Sequence, residues 1–267
     1  MSATTQSTSN RMIKDRQTFS QQMVAFPWWA VILVGLIVVA FILIFQSETY
    51  SEALKFILPG VRVTIQVTIV SYVIALILGL LLGIMRVSKN PILFHASTLY
   101  VELMRGFPLL VIVIWIGFVL TPMLRDATGG AVDLSRVQGA VLGLSLGYAA
   151  YLAEVYRSGI ESIHGGQMEA ARSLGMGYFQ SMRYVILPQA IRRVVPPLAN
   201  DFVAMLKDSS LVSVVAVPEI LQSARLYVSR TFLALPGYNT AALLYLVLTL
   251  IFIMLVRILE KRWRTNG

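Results

Sequence analysis

The amino-acid sequence predicts an all-α protein that crosses a membrane several times, with about six transmembrane helices. Of its 267 residues, 57% are hydrophobic and only 13% are charged, whereas soluble domains carry about 25% charged residues. Its mean hydropathy is +0.75. A chain this apolar would expose large hydrophobic patches in water and aggregate. The composition therefore indicates a membrane protein.

The 22 lysines and arginines fall between the apolar runs rather than in one patch. This distribution is typical of membrane topology, so the net charge of +9 does not indicate nucleic-acid binding. The chain has no cysteine, which excludes disulfides, thiol catalysis and thiolate metal sites.

Residues 1–26 form a polar tail rich in Ser, Thr and Gln, which also carries Arg11, Lys14 and Arg16. No secretory signal is recognisable in it, and we expect it to be a cytoplasmic arm. Residues 27–58 then contain a first predicted transmembrane helix, Trp28–Phe45, followed by an outer loop.

The remaining predicted helices lie in residues 59–260, since a membrane helix needs about 20 mostly apolar residues. A shorter run at residues 137–153 has the glycine spacing of a packed helix. Residues 190–206 are interrupted by charges and prolines, and we count them as a crossing because the two chain ends then share one side. The predicted crossings are Val63–Met85, Gly106–Leu124, Val137–Ala153, Ala190–Leu206 and Thr231–Val256.

The positive charges predict the orientation. With six crossings and a cytoplasmic N-terminus, 15 of the 22 lysines and arginines lie inside and seven lie outside, as the positive-inside rule requires. Both termini are then cytoplasmic, including a short tail of residues 261–267. On this pattern Arg105 is one of the inner residues.

Small residues recur at helical spacing at Gly79 and Gly83, and again at Gly139, Gly143 and Gly147. Such residues let another helix approach closely. Packing within one subunit and packing between subunits both explain them.

Residues 154–188 hold a short helix between two turns. His164, Gly165 and Gly166 are expected to end the preceding helix. A helix too short to span a membrane is predicted from Gln167 to Leu174, and Gly175 is expected to stop it. A second amphipathic piece, residues 178–186, leads to Pro188, which suits the start of the next helix.

A soluble partner protein could bind this short helix. Ala170 and Ala171 have small side chains that permit close approach, while Glu169 and Arg172 flank them with opposite charges. The alternative is a solvated loop helix without a function.

The spacing of the residues in this segment resembles the EAA loop of ABC importer permeases. The matching positions are Glu169-Ala170-Ala171, Gly175 after three intervening residues, and Val185-x-Leu187-Pro188 after nine more, with Val185 in place of the usual Ile. The resemblance implies that residues 158–188 form a cytoplasmic coupling loop. The residues it implies for coupling to an ATPase are Gly166, Glu169, Ala170, Ala171, Arg172, Leu174 and Gly175.

Three further blocks resemble the histidine-, arginine- and glutamine-type permeases of this family, from about Gly60 to the C-terminus. They are Arg105-Gly106-Phe107-Pro108-Leu109-Leu110, residues 150–160, and residues 187–211. The resemblance implies the type I ABC importer permease fold, with a five-helix core and Trp28–Phe45 as an addition. It also implies the bacterial inner membrane and a role in importing polar amino acids.

The resemblance implies partners rather than a catalytic centre in this chain. They are ABC ATPase subunits, a second permease of the same or a homologous chain, an extracytoplasmic substrate-binding protein, the amino-acid substrate and membrane lipid. The sequence has no phosphate-binding loop and no cluster of metal ligands, so ATP and Mg²⁺ are expected on the ATPase. We expect no cofactor on this chain and no enzymatic activity of its own.

Polar residues at bilayer depth are candidates for the substrate pathway, because an ionisable group there usually faces a partner or a wet cavity. For Glu154, a structural ion pair with Arg157 is the alternative. For Asp201 and Asn200, the alternative is a hydrogen bond between helices. The complete set of candidates is Glu154, Asn200, Asp201, Met205 and Ser209.

A secondary, ion-coupled amino-acid transporter is the rival class, since such proteins also use broken helices and polar groups near the midplane. Inverted repeats would require matching halves, and residues 1–133 contain nothing similar to the blocks in residues 154–211. The sequence therefore favours the ATP-driven importer.

Overall fold

The computed structural model describes residues 28–163 and 165–265, and every regular element in them is helical. The predicted tail of residues 1–26, together with His164 and residues 266–267, lies outside the described residues. In chain order the helices are α1 (Trp28–Gln46), α2 (Glu48–Ile57), α3 (Pro59–Arg86), α4 (Pro91–Gly106), α5 (Leu109–Trp115), α6 (Thr121–Ala127), α7 (Arg136–Glu161), α8 (Gly165–Ser173), α9 (Tyr178–Ser181), α10 (Leu187–Asp208), α11 (Ile220–Thr231) and α12 (Ala234–Thr265).

Three shorter helical stretches connect some of these helices. Single π-helical turns, Ile116–Leu120 and Met182–Ile186, join α5 to α6 and α9 to α10. A 3-10 stretch, Ser209–Val215, follows α10.

Local sequence explains where several helices begin. The Asn90 side chain accepts a hydrogen bond from the Ile92 amide at 2.9 Å at the start of α4, and a proline occupies the first turn. Ser135 and Gln138 form a capping box at the start of α7. Both arrangements satisfy amides that have no partner within their helix.

The described chain divides into two units, one up to Ser51 and one from Glu52 onward. The first unit consists mainly of α1, which is apolar along its length and exposes most of its large side chains. The second unit is a bundle of helices in which α3 and α7 make the most extensive contact.

Glycines allow α3 and α7 to pack closely. A Cβ at Gly79 would lie 2.8 Å from the Leu152 Cβ, and one at Gly83 would lie 2.8 Å from the Tyr156 Cβ. The glycines of α7 likewise allow α5 and α6 to pack closely, since a Cβ at Gly143 would lie 3.0 Å from the Val113 Cα. Packing within one subunit therefore accounts for the small residues.

Helices α4, α5 and α6 pack in succession along α7. In α4, Val101 is buried against Ala150 and Ala153. Further along, Val113 of α5 lies beside Gly143, and Thr121 of α6 lies beside Gly139. The part of the chain that packs along α7 therefore begins in α4, upstream of the crossing that the sequence predicts at residues 106–124.

The predicted crossing at residues 190–206 lies within one continuous helix, although charges and prolines interrupt its apolar sequence. Helix α10 runs unbroken from Leu187 to Asp208 and contains Pro196 and Pro197. It is part of a longer helical stretch, Tyr178–Val215, which is followed by a bend of 44° into Ile220–Thr231. The prolines are accommodated within the helix, although each lacks the N–H that an internal hydrogen bond needs.

By length and composition, three helical stretches of the described residues could cross a membrane, or four with the bent pair as one span. The three stretches are Glu48–Arg86, Leu109–Ala127 and Ala234–Ile258. The number of six crossings, the domain limits and the orientation stay predictions.

Candidate functional site: the segment between α7 and α10

Helix α8 forms where the sequence predicts a short helix, and Gly175 ends it. The Gly175 amide donates to the Arg172 carbonyl at 3.0 Å, and the Met176 amide donates to the Ala171 carbonyl at 3.2 Å. This pair of bonds is a Schellman motif, which requires a residue with positive φ. Gly175 has φ +83°, so the prediction that it stops the helix is confirmed.

A small apolar cluster attaches the segment to the bundle. Ile163, Ile186 and Ala190 are buried together, with Met168 of α8 packed against them. Behind this cluster, Arg193 of α10 donates a hydrogen bond to the Ser162 carbonyl at the end of α7. Helix α8 is thus held at one face.

Most of the predicted coupling residues lie on the free surface. Ala171 is the exception, because it is only 4% exposed, so the expectation that both alanines face a partner is wrong for it. The exposed members of the set are Gly166, Glu169, Ala170, Arg172, Leu174 and Gly175.

Gly165 and Gly166 do not end the preceding helix as expected. Helix α7 already ends at Glu161, and α8 begins at Gly165. At the end of α7 the Ser162 amide still bonds to the Ser158 carbonyl at 2.9 Å.

Leu174, one of the predicted coupling residues, is 83% exposed. Large aromatic side chains beyond it also face outward, and the sequence reasoning did not include them in the site: Phe179 is 85% exposed, with Tyr178 and Tyr184 above half. Their aromatic character within an otherwise amphipathic piece was the available signal. Together with α8 they form the coupling surface, defined here as residues 166–184.

Glu154 takes part in a network of ion pairs. It pairs with Arg157 in the next turn, which confirms the alternative considered for it. It also accepts a hydrogen bond from Arg86 at 2.6 Å. Arg86 was not foreseen because it lies 68 residues away in sequence, and the contact exists only because α3 packs on α7.

The other four pathway candidates divide into two pairs. Asn200 is exposed and Asp201 is half-buried on α10. Met205 and Ser209 are fully buried, and the Ser209 hydroxyl donates to the Leu206 carbonyl at 2.7 Å. Met205 and Ser209 thus lie inside the bundle, whereas Asn200 and Asp201 reach its surface.

Two acidic groups that the sequence did not single out hold the far end of α10 and the start of α11. Tyr148 of α7 donates to Asp208 at 2.6 Å. Glu219 is fully buried, accepts from Tyr245, and caps α11 by accepting from the Gln222 amide at 2.8 Å. Both carboxylates tie separate helices together.

The fold and the exposed coupling surface define a membrane permease: a polytopic helical bundle with a short helix projecting between two of its long helices. The chain matches the family described as binding-protein-dependent transport system inner membrane component over residues 75–265. It belongs to this family and is an inner-membrane component of such a transport system.

Curated relatives resemble most of the chain. The "Probable amino-acid ABC transporter permease protein YckA" of Bacillus subtilis is 38% identical over 222 residues, which cover 82% of this chain and 94% of that protein. The "Glutamine transport system permease protein GlnP" of Escherichia coli K12 is 34% identical over 170 residues, which cover 64% of this chain and 75% of that protein.

Solved structures share the fold. A chain of "an amino acid ABC transporter with histidines" superposes with a TM-score of 0.70 at 34% identity, covering 78% of this chain and 94% of that one. A chain of the MetNI methionine ABC transporter has a TM-score of 0.64 at 22% identity, covering 81% and 98%, and shows the fold alone.

Proposed function

We propose that this chain is the permease subunit of an ATP-driven importer of polar amino acids, and that the coupling surface transmits the cycle of a separate ATPase. The observation that carries this proposal is the exposure of Leu174 and Phe179, 83% and 85%, on a segment that a Schellman motif holds in place. Apolar side chains exposed together on a projecting segment indicate a protein interface.

The substrate class is supported by the relatives, whose names refer to amino acids or glutamine. The full assembly in this proposal contains two permease chains, two ATPase subunits and an extracytoplasmic receptor. ATP and Mg²⁺ bind the ATPase, and this chain contributes no catalytic group and no cofactor.

Coupling requires a two-state response. The ATPase moves the coupling surface, and Ile186 and Ala190 transmit that motion to α10 because they join the segment to the bundle. Pumping follows only if nucleotide and loaded receptor favour different conformations of the permease. Asn200 and Asp201, which are accessible on α10, belong to the substrate pathway in this proposal.

The test is co-purification of the ATPase with the permease from detergent, comparing wild type with Phe179→Ser. Truncating an anchor at a protein interface typically costs 2 kcal/mol or more, so we expect at least about a tenfold loss of bound ATPase. Phe232→Ser is the matched control, since Phe232 is 88% exposed and lies beyond the opposite end of α10. Equal retention of the ATPase by both variants would contradict the proposal.

A further inference from the structure

The helical path of α4, α5 and α6 along α7 is broken at Phe107 and Pro108. Helix α4 ends at Gly106, and the next two residues are extended, with φ −91° and ψ 140° at Phe107 and φ −58° and ψ 134° at Pro108. Proline disfavours a helical conformation in the residue before it, which explains the break. Arg105 therefore lies at the end of a helix partway along the bundle.

The position of Arg105 along α7 is given by its contact with Tyr151. The guanidinium carbon lies 5.8 Å from the centroid of the Tyr151 ring. At 1.5 Å per residue, Tyr151 lies about 22 Å from the start of α7 and about 15 Å from its end. In the crossing that the sequence predicts for α7, this height lies within the hydrocarbon core, which is about 30 Å thick. This height is deeper than the position among the inner charges that the sequence analysis expects for Arg105.

The charge of Arg105 has no ion-pair partner among the residues that the structure describes. Glu154 interacts with it electrostatically, but that carboxylate is already paired with Arg86 and Arg157. Arg105 is exposed and Tyr151 is 39% exposed. A cation at bilayer depth is unfavourable against lipid, by about 2.5–3.5 kcal/mol on insertion scales. This surface therefore faces water or a ligand.

Further polar groups border the same aromatic pair. The Tyr151 and Tyr148 rings lie 6.1 Å apart between centroids, and Tyr148 donates to Asp208. Asp201 acts electrostatically on Tyr148 and forms no ion pair within the described residues. Arg105 contacts Tyr151, and Asp201 interacts with Tyr148. Neither charge forms an ion pair within the described residues, which is a pattern that a zwitterion complements.

We infer that Arg105 binds the α-carboxylate of the transported amino acid as it passes the Tyr148–Tyr151 pair. The inference rests on the proposed function and adds a substrate-binding residue to it. A guanidinium suits a carboxylate because its planar fork donates two parallel hydrogen bonds. All α-amino acids carry this carboxylate, so Arg105 selects the class of substrate, while other residues distinguish the side chains.

The test measures binding to the purified permease–ATPase complex without the receptor. The probes are L-glutamine, L-arginine and L-histidine, each compared with its α-amide by isothermal calorimetry. In wild type we expect at least one of the three to bind about tenfold or more tightly than its amide. In Arg105→Gln the acid and the amide should bind equally weakly.

Arg230→Gln is the matched control, because Arg230 also lies in the last turn of its helix and stacks on an aromatic ring, 5.3 Å from the Phe56 centroid. It should keep the preference for the acid. If Arg105→Gln does not assemble with the ATPase, Arg105→Lys is measured instead, because lysine keeps the positive charge but lacks the planar fork of the guanidinium. In this variant the preference for the acid over the amide should fall at least about threefold.

An unchanged preference in the Arg105 variant would overturn the inference while leaving the proposed function intact. A wild-type complex that binds the amino acids without any preference over the amides would overturn it as well. If no ATPase accompanies the wild-type chain, the proposed function itself fails, and the inference fails with it.

Discussion

The α3–α7 contact and the coupling surface use glycine for opposite purposes. At Gly79 a Cβ would lie 2.8 Å from the Leu152 Cβ and 3.1 Å from the Ala149 carbonyl oxygen. At Gly175 a Cβ would meet nothing within 4 Å, but φ is +83°. The first glycine is required by a neighbouring helix, and the second by its own backbone.

The two regions also differ in how far their side chains are covered by the rest of the chain. Helix α7 buries 13 of its residues against neighbouring helices, whereas the coupling surface leaves its largest apolar side chains uncovered. Changes in the α3–α7 contact should therefore lower the stability of the whole bundle. Changes in the coupling surface should leave the bundle folded and affect the association with a partner.

The largest effect is expected for Gly79→Leu. The new side chain would collide with the Ala149 backbone, and because backbone cannot move aside cheaply, the overpacking should cost about 1–3 kcal/mol or more. We expect a marked fall in the midpoint of thermal unfolding in detergent and little assembled complex. Gly35→Leu in α1 is the control, since a Cβ there meets nothing within 4 Å. Similar losses for both variants would refute the packing argument.

A smaller effect, confined to the coupling surface, is expected for Gly175→Val. A β-branched residue in the left-handed region costs about 1–2 kcal/mol, which should distort the end of α8 without unfolding the bundle. Retention of the ATPase should fall about tenfold at an unchanged unfolding midpoint. Gly177→Ala, at φ −65°, should retain the ATPase. A drop in the unfolding midpoint of the Gly175 variant would show that the two regions are not independent.

The ion pair between Arg86 and Glu154 should contribute less than the glycine contact between the same helices. Its side chains are 11% and 27% exposed, so Arg86→Gln leaves Glu154 only its pairs on α7 and should cost about 1 kcal/mol. Glu161→Gln is the comparison, because that side chain is 50% exposed and such pairs contribute about 0–1 kcal/mol. The midpoints of thermal unfolding of the two variants test this difference. A larger fall in the midpoint for Glu161→Gln than for Arg86→Gln would contradict the prediction.

The smallest effect on stability is expected for Leu174→Ala. Its side chain is 83% exposed, and surface substitutions usually change stability by no more than about 0.5 kcal/mol. The unfolding midpoint should stay constant while ATPase retention falls about threefold to tenfold. A destabilised bundle would show that Leu174 packs within the chain rather than against a partner.

Local sequence rules were sufficient to predict α8 and the residue that ends it. Glycine at position 175 and good helix formers before it predicted both the helix and its stop, because Schellman geometry depends on a few neighbouring residues. Ala171 was misjudged for a tertiary reason: whether a small residue on a short helix faces inward depends on what the helix packs against.

The contacts of Arg86, Asp208 and Glu219 were outside the reach of the sequence. Each joins helices that are distant in the chain, at separations of 68, 60 and 26 residues. A single sequence contains no information on which polar residues meet across helices.

Composition, hydrophobic run length and charge distribution determined by themselves that this protein is a helical membrane bundle, because the lack of water in a bilayer obliges each segment to satisfy its own backbone. The motif in residues 169–188 determined the family in the same local way. Only the tertiary structure decided which glycines meet a neighbouring helix, that Ala171 faces inward, and that Arg105 lies beside Tyr151. These depend on close packing between segments, which no single segment specifies.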